Sequence, residues 1–262
     1  MVRRNRRGKR SIVKKIFITL GVILVIFAGI IIYFVVKDFK QEEVLKQELI
    51  NYSNMDLASD DYTIFVKTKG DYAYIEEAVK KFYKELSDNV KIINYYMSDE
   101  ELKNVLAPDR LVSERPDFIK SYAVIKKDRT NVIKALEKIS KLCEEETVKN
   151  IIDKEKVDDY YYDLYKELML TKKDIEDLKE TKEKMEELSK NLNLFFDKVV
   201  EILDLLKNND SSWEYHDNQL FFSTDELVDK YNGLYKDLVD IASKFDSKED
   251  TSKKDNPKDI VA

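Results

Sequence analysis

The feature that most constrains this chain is an uncharged apolar run of 21 residues, IFITLGVILVIFAGIIIYFVV, at residues 16–36. A helix of this length rises about 31 Å, which matches the roughly 30 Å hydrocarbon core of a bilayer. β-Branched residues are frequent in the run, but in lipid the backbone must satisfy its own hydrogen bonds, which favours helix over strand. The run therefore predicts a transmembrane helix at residues 16–36.

The charges on either side of this run predict its orientation. Residues 1–15 contain no acid and eight basic residues, which are Arg3, Arg4, Arg6, Arg7, Lys9, Arg10, Lys14 and Lys15. The other flank begins KDFKQEE and has mixed charge. Because basic flanks stay on the cytoplasmic side, we expect a cytoplasmic N-terminus and an extracytoplasmic C-terminal domain.

The apolar run is longer than the hydrophobic region of roughly 7–15 residues that cleaved signal peptides use, and no small-x-small cleavage site follows it. We therefore expect an uncleaved signal anchor, with cleavage as the alternative. Gly21, Ala28 and Gly29 are small enough to line a helix contact but do not form a GxxxG motif. Self-association as a homo-oligomer is left open.

Composition predicts a helical fold for the rest of the chain. After residue 30 the only glycines are Gly70 and Gly233, and the only prolines before the C-terminal tail are Pro108 and Pro116. Turn residues this scarce disfavour a many-stranded β fold. Apolar residues recur at three- and four-residue spacing, as in coiled coils. We predict an all-α fold, in which the transmembrane helix is followed by an elongated antiparallel helical bundle.

The periodicity also predicts domain boundaries. Long helices are expected at residues 71–97, 116–146, 155–170, 171–207 and 224–245. Pro108 is expected to end a short helix that starts at Ser98, and Pro116 to open the next helix in its first turn. The predicted domains are a cytoplasmic basic tail at 1–15, the transmembrane helix at 16–36, a juxtamembrane stalk and linker at 37–70, the extracytoplasmic bundle at 71–245 and a disordered charged tail at 246–262.

One segment interrupts the helical pattern between the last two helices. NNDSSWEYHDNQLFFS, residues 208–223, contains the only Trp and the only His of the chain. Aromatic and apolar residues alternate on both sides of Asp217-Asn218, a pair that is typical of tight turns. We therefore predict a small β-hairpin near residues 213–222.

No motif in the sequence predicts an enzyme. His216 lies between Glu214 and Asp217, but a single His with carboxylates in a loop lacks the spacing of a zinc or acid–base site. The runs Glu144–Glu146 and Asp158-Asp159 lack the spacing of a calcium loop and are more typical of solvated helix faces. We expect Cys143 to be a small apolar core residue. The sequence predicts no catalytic residue, no cofactor and no metal site.

Aromatic residues are the best candidates for a contact with a partner. Tyrosine and tryptophan are enriched in protein interfaces, although the same residues can simply pack against neighbouring helices. The candidate contact residues are Tyr160, Tyr162, Tyr165, Trp213, Tyr215 and Phe222.

Charge limits the class of partner. Removing the eight N-terminal basic residues leaves 46 − 8 = 38 Lys and Arg against 52 Asp and Glu, a formal charge near −14 for the remainder. This balance disfavours nucleic acid and favours a basic partner. We expect a protein held by membrane lipid that binds protein partners outside the cytoplasm, as an interaction or scaffolding component of the cell envelope or a secretion assembly. Alternatives are a toxin-immunity protein, a ligand-sensing ectodomain and, last, a cell-wall hydrolase.

Overall fold

The computed structural model describes residues 40–217 and 219–244. In this part the chain is mostly helical, with nine α-helices and one antiparallel β-hairpin, which confirms the predicted all-α class and the hairpin near residues 213–222. The helices are α1 Lys40–Ser53, α2 Asp71–Met97, α3 Glu100–Lys103, α4 Pro108–Glu114, α5 Ile119–Leu142, α6 Glu145–Lys149, α7 Asp159–Met169, α8 Lys172–Asn208 and α9 Asp225–Lys244. The strands are β1 Trp213–His216 and β2 Gln219–Phe222.

No helix among residues 40–217 and 219–244 is long and apolar enough to cross a membrane. The predicted transmembrane helix at 16–36, the basic tail at 1–15 and the charged tail at 246–262 lie outside the described residues. These three predictions therefore stay predictions.

The described residues form two compact units. Unit A contains residues 40–99 and 127–190, and unit B contains residues 100–126 together with the described part of 191–244. The long helices α5 and α8 each contribute residues to both units.

The central helix of unit A is α2, whose bounds match the predicted helix at 71–97. Its apolar stripe is buried along the whole length of the helix, because three- and four-residue spacing places these side chains on one face. The buried stripe consists of Tyr72, Ile75, Val79, Phe82, Leu86, Val90, Ile93 and Met97.

Residues 37–70, predicted as a stalk and linker, form a packed layer of unit A in their described part. Helix α1 lies against α2 and buries Leu45 and Leu49, which are four residues apart and share one face. Beyond α1 the chain is irregular, but Leu57 and Tyr62 are only 2% exposed. The charged composition of α1 conceals this short apolar stripe, which is why a stalk and linker was the expectation.

The two prolines act differently from the prediction. Pro108 does not end a helix but begins α4. Proline is tolerated at this position because a backbone N–H in the first turn would have no acceptor within the helix. Pro116 does not open the following helix, since α5 begins only at Ile119. Phe118, directly before α5, has a positive φ of 51°, which is incompatible with helical geometry at that residue.

Candidate functional site

The hairpin has two chemically different faces. Side chains of directly paired residues lie on the same side of a sheet, and the side alternates along each strand. Trp213 pairs with Phe222, and Tyr215 pairs with Leu220, so these four share one face. The opposite face carries the pairs Glu214–Phe221 and His216–Gln219. Burial follows this division, since Trp213 is 1% exposed and Phe221 is 42% exposed.

Trp213 is fixed within unit B by contacts on several sides. Its indole Nε1 donates a hydrogen bond to the carbonyl of Leu206 at 2.9 Å, near the end of α8. The ring of Phe118 stacks on it with a centroid separation of 6.5 Å. The guanidinium of Arg115 lies 4.1 Å from the ring centroid, and its Nε donates to Asp210 Oδ1 at 2.6 Å. Trp213 therefore has no face left for a partner, contrary to its predicted place in a contact surface.

The exposed face of the hairpin is built around Phe221. The imidazole of His216 stacks flat on this ring, with centroids 3.9 Å apart and planes at 1°. His216 Nδ1 lies 3.4 Å from Asp217 Oδ2, which is a long contact on the surface. Within the described part of the chain, no three His, Cys, Asp or Glu side chains are arranged to hold a metal ion. The sequence-based list of contact residues includes Phe222 but not Phe221. Because side chains alternate along a strand, Phe222 shares the face of Trp213 and Phe221 lies on the opposite, exposed face.

Helix α9 continues the aromatic contacts from the other face of the hairpin. Phe222 packs against Tyr231 at 5.2 Å between ring centroids, and Tyr231 stacks on Tyr235 at 6.2 Å. Burial raises the pKa of Tyr231 to about 12. Tyr235 and Val239, one helical turn apart, are 48% and 50% exposed. We refer to Phe222, Tyr231, Tyr235 and Val239 as the α9 ridge.

The α9 ridge lies in an acidic stretch of chain. Residues 209–244 contain eight carboxylates and three lysines, a formal charge of 3 − 8 = −5. One of the lysines, Lys230, is paired with Glu226 at 2.7 Å. Asp237 Oδ2 on α9 lies 3.5 Å from Lys198 Nζ on α8. Apolar side chains surrounded by excess carboxylate favour a ligand that combines apolar and basic groups.

The three predicted tyrosines of α7 lie in different environments. Tyr165 is fully buried in unit A, where its hydroxyl donates to the carbonyl of Val148 at 2.6 Å and burial raises its pKa. Tyr162 is half-buried between two ammonium groups, with Lys154 Nζ at 5.1 Å and Lys166 Nζ at 4.8 Å from its ring centroid. Tyr160 is 62% exposed. Tyr165 therefore belongs to the core, while Tyr160 and Tyr162 remain available at the surface.

Unit A also contains a cluster of buried charges. Lys80 is 2% exposed, and its Nζ donates to Glu76 Oε1 at 2.6 Å, to Glu48 Oε2 at 3.0 Å and to the carbonyl of Phe65 at 2.7 Å. Glu76 also accepts hydrogen bonds from the backbone N–H and the hydroxyl of Thr68, at 2.8 and 2.7 Å. We refer to Lys80, Glu76 and Glu48 as the ion cluster.

The pKa shifts of the ion cluster agree with a structural role. Burial acts to raise the pKa of Glu76, but the hydrogen bonds from Lys80, Thr68 and the backbone outweigh it and hold the pKa below its ordinary value. The pKa of Glu48 is lowered in the same way, because the hydrogen bonds from Lys67 and Lys80 outweigh burial. Both carboxylates are thus committed to internal donors. The cluster fixes the irregular segment 54–70 to α1 and α2.

Cys143 is 5% exposed, and burial raises the pKa of its thiol to about 12. It lies just after α5 on the apolar stripe of that helix, as expected from its spacing. A buried thiol with a raised pKa is a poor nucleophile.

The chain matches no protein-family model, no curated protein and no solved structure. Its function therefore has to be inferred from its own residues.

Proposed function

We propose that this chain is a single-pass membrane protein whose two helical units act outside the cytoplasm as a protein-interaction component of the cell envelope or a secretion assembly. The observation that carries this proposal is the uncharged run at 16–36 behind a tail with eight basic residues. In this arrangement the predicted helix fixes the position of the two units at the membrane. The proposed activity of the two helical units is to bind a protein partner.

The described geometry supports binding over catalysis. The acids with lowered pKa in the ion cluster are occupied by internal hydrogen bonds. Unit B exposes apolar side chains at Tyr235 and Val239 of the α9 ridge and at Phe221 on the outer face of the hairpin. Because the ridge lies in a stretch with a formal charge of −5, the proposed partner presents a basic segment with apolar side chains.

The same acidity favours a second function, which is protection of the membrane against a basic secreted toxin. In that case the partner is a toxin that binds from outside. In the scaffolding case the partner is a resident protein of the same envelope. The identity of the captured protein separates the two.

Site-specific photocrosslinking tests the proposal on the full chain in its own membrane. A photoreactive phenylalanine replaces Tyr235 or Val239 in two variants, and the control variant carries it at Lys120, which is exposed on α5 of the same unit. We expect an adduct of one mass at both ridge positions, formed with a basic protein and weakened by high salt. The Lys120 variant should give no such adduct.

Two results would contradict the proposal. One is the absence of an adduct at both ridge positions while the protein is correctly inserted in the membrane. The other is an identical set of adducts at Lys120, since this would show that the ridge is not selective.

A further inference from the structure

The exposed Tyr160 of unit A suggests a second contact, which rests on the proposed membrane anchor. We propose that Tyr160 and Tyr161, which adjoin the buried Tyr72, form a membrane-facing surface, with the exposed ring of Tyr160 in the lipid headgroup layer. We refer to these three residues as the tyrosine cluster. The occupant of this surface is the bilayer that holds the predicted helix at 16–36.

The first argument is the short connection between the predicted span and unit A. The span ends at Val36, and α1 begins at Lys40. A chain advances at most about 3.5 Å per residue, so four steps cover about 14 Å. The start of α1 therefore has to lie close to the membrane surface when residues 16–36 span the bilayer.

The second argument is that the tyrosine cluster lies at this end of unit A. Gln41, in the first turn of α1, accepts a hydrogen bond from the backbone N–H of Lys69 at 2.8 Å. Lys69 is close in sequence to the start of α2, and the charge of Glu42 contributes to the raised pKa of Tyr72, after burial and the neighbouring tyrosines. The start of α1 and the start of α2 are thus neighbours.

Ring contacts extend this neighbourhood to α7. Tyr72 and Tyr161 meet edge to face with centroids 5.0 Å apart, and Tyr161 meets Tyr160 at 5.1 Å. Tyr160 is 62% exposed at the end of this series. A continuous set of contacts therefore leads from the entry point of the chain to an exposed tyrosine.

The chemistry of the cluster suits the membrane interface. Tyrosine is enriched at the headgroup level because its ring is apolar and its hydroxyl stays hydrated. Tyr162 on the same helix is flanked by Lys154 and Lys166, whose long stems can reach polar headgroups. Asp158, Asp159 and Asp163 are also exposed nearby. The attraction is consequently aromatic, and does not require anionic lipid.

Spin labelling of the full chain in phosphatidylcholine vesicles tests this inference. Tyr160→Cys places a label in the cluster, and Asp159→Cys places one beside it while leaving every tyrosine intact. The native Cys143 is 5% exposed and stays unlabelled. The matched control is Tyr95→Cys, since Tyr95 is 70% exposed and lies 23 residues beyond Tyr72 on α2, a rise of about 35 Å.

The readout compares collisions of each label with oxygen, which concentrates in lipid, and with a water-soluble nickel chelate. We expect oxygen to dominate at positions 159 and 160, and nickel to dominate at position 95. Nickel dominance at all three positions overturns the inference. Shielding of positions 159 and 160 from both reagents also overturns it, because a protein contact with a second copy then covers the cluster.

Failure of the proposed anchor gives a different result. If alkaline extraction removes the protein from the vesicles, the membrane anchor itself is refuted and the inference falls with it. If the protein resists extraction while positions 159 and 160 remain in water, the anchor stands and only the tyrosine cluster assignment is wrong.

Discussion

Each unit contains a segment that is not helical, and the two units fix these segments with different chemistry. Unit A binds residues 54–70 through the ion cluster, in which a buried ammonium group joins two carboxylates and a backbone carbonyl. Unit B binds the hairpin through Trp213, which combines one hydrogen bond with stacking by Phe118 and Arg115. The first arrangement depends on buried ionised groups, whereas the second depends mainly on ring contacts and one neutral hydrogen bond, beside a partly exposed Arg115–Asp210 ion pair.

This difference matters because substituting a buried charge destabilises a protein in a different way from substituting a buried ring. Removing one member of a buried ion pair leaves the other charge without compensation in a poorly polarisable interior. Shortening a buried ring leaves a cavity and sometimes an unpaired acceptor. Unit A should therefore respond to loss of charge and to acid, whereas unit B should respond to loss of ring volume and of one donor.

The largest expected effect is that of Lys80→Met. The substitution keeps the length of the side chain but leaves Glu76 and Glu48 without their shared cation, at a cost of about 3–5 kcal/mol in the free energy of unfolding. Urea unfolding measures this loss, and hydrogen exchange should localise it to residues 54–70. The matched control is Lys81→Met, because the Lys81 side chain is 45% exposed in a surface pair with Glu77 and should contribute less than about 0.5 kcal/mol. Equal losses in the two variants would contradict the role of the ion cluster.

Acid should weaken unit A before unit B. The folded-state pKa values of Glu76 and Glu48 are lowered, so the unfolded chain takes up protons first as pH falls. Their contribution is fully present above the ordinary Glu pKa of about 4.3 and is lost as pH falls through the lower folded-state values. Hydrogen exchange between pH 6 and pH 3 should show residues 63–69 losing protection while the hairpin retains it. If the hairpin loses protection before residues 63–69, unit A is not the more acid-sensitive unit and the prediction is wrong.

Trp213→Phe should have an intermediate effect. The variant keeps an aromatic ring but cannot donate to the Leu206 carbonyl, which remains buried, at a cost of about 1–3 kcal/mol. We expect lower protection from exchange at residues 213–222, and the loss of protection relative to the unsubstituted chain should be the same at pH 6 and pH 4. A loss of protection confined to residues 54–70 would refute the assignment of Trp213 to unit B.

The smallest effect is expected for Arg115 and Asp210. Their ion pair is partly exposed, with side-chain exposures of 29% and 39%, so the coupling should be about 1 kcal/mol. A double-mutant cycle with Arg115→Ala and Asp210→Ala isolates this energy from the contact of Arg115 with Trp213. Additive losses would mean that Arg115 acts through the ring alone.

Helical periodicity predicted the parts of the fold that depend on local pattern. The stripe of α2 gave its bounds at 71–97, and the aromatic alternation around Asp217 gave the hairpin. The ion cluster could not be predicted, because Lys80 and Glu76 resemble a solvated i, i+4 pair until Phe65 and Glu48 are brought to them by tertiary packing.

The candidate contact residues show the same limit. Sequence identifies tyrosine-rich segments but not which ring each segment buries, so Tyr165 and Trp213 were grouped with the exposed Tyr160. Three exposed residues that the sequence analysis did not select, Phe221, Tyr235 and Val239, can be recognised from their position relative to the buried face. Phe221 is offset by one residue from the buried face of its strand, and Tyr235 and Val239 form a stripe one residue away from Leu234 and Leu238 on α9.

The most direct test of membrane anchorage with external units is cysteine labelling of intact cells with a membrane-impermeant maleimide. Two variants are compared, Tyr95→Cys in unit A and Ser11→Cys in the basic tail, since Cys143 is buried with a thiol pKa of about 12. The account predicts labelling of the Tyr95→Cys variant in intact cells, and of the Ser11→Cys variant only after the membrane is opened. Labelling of the Tyr95→Cys variant only after opening would contradict it.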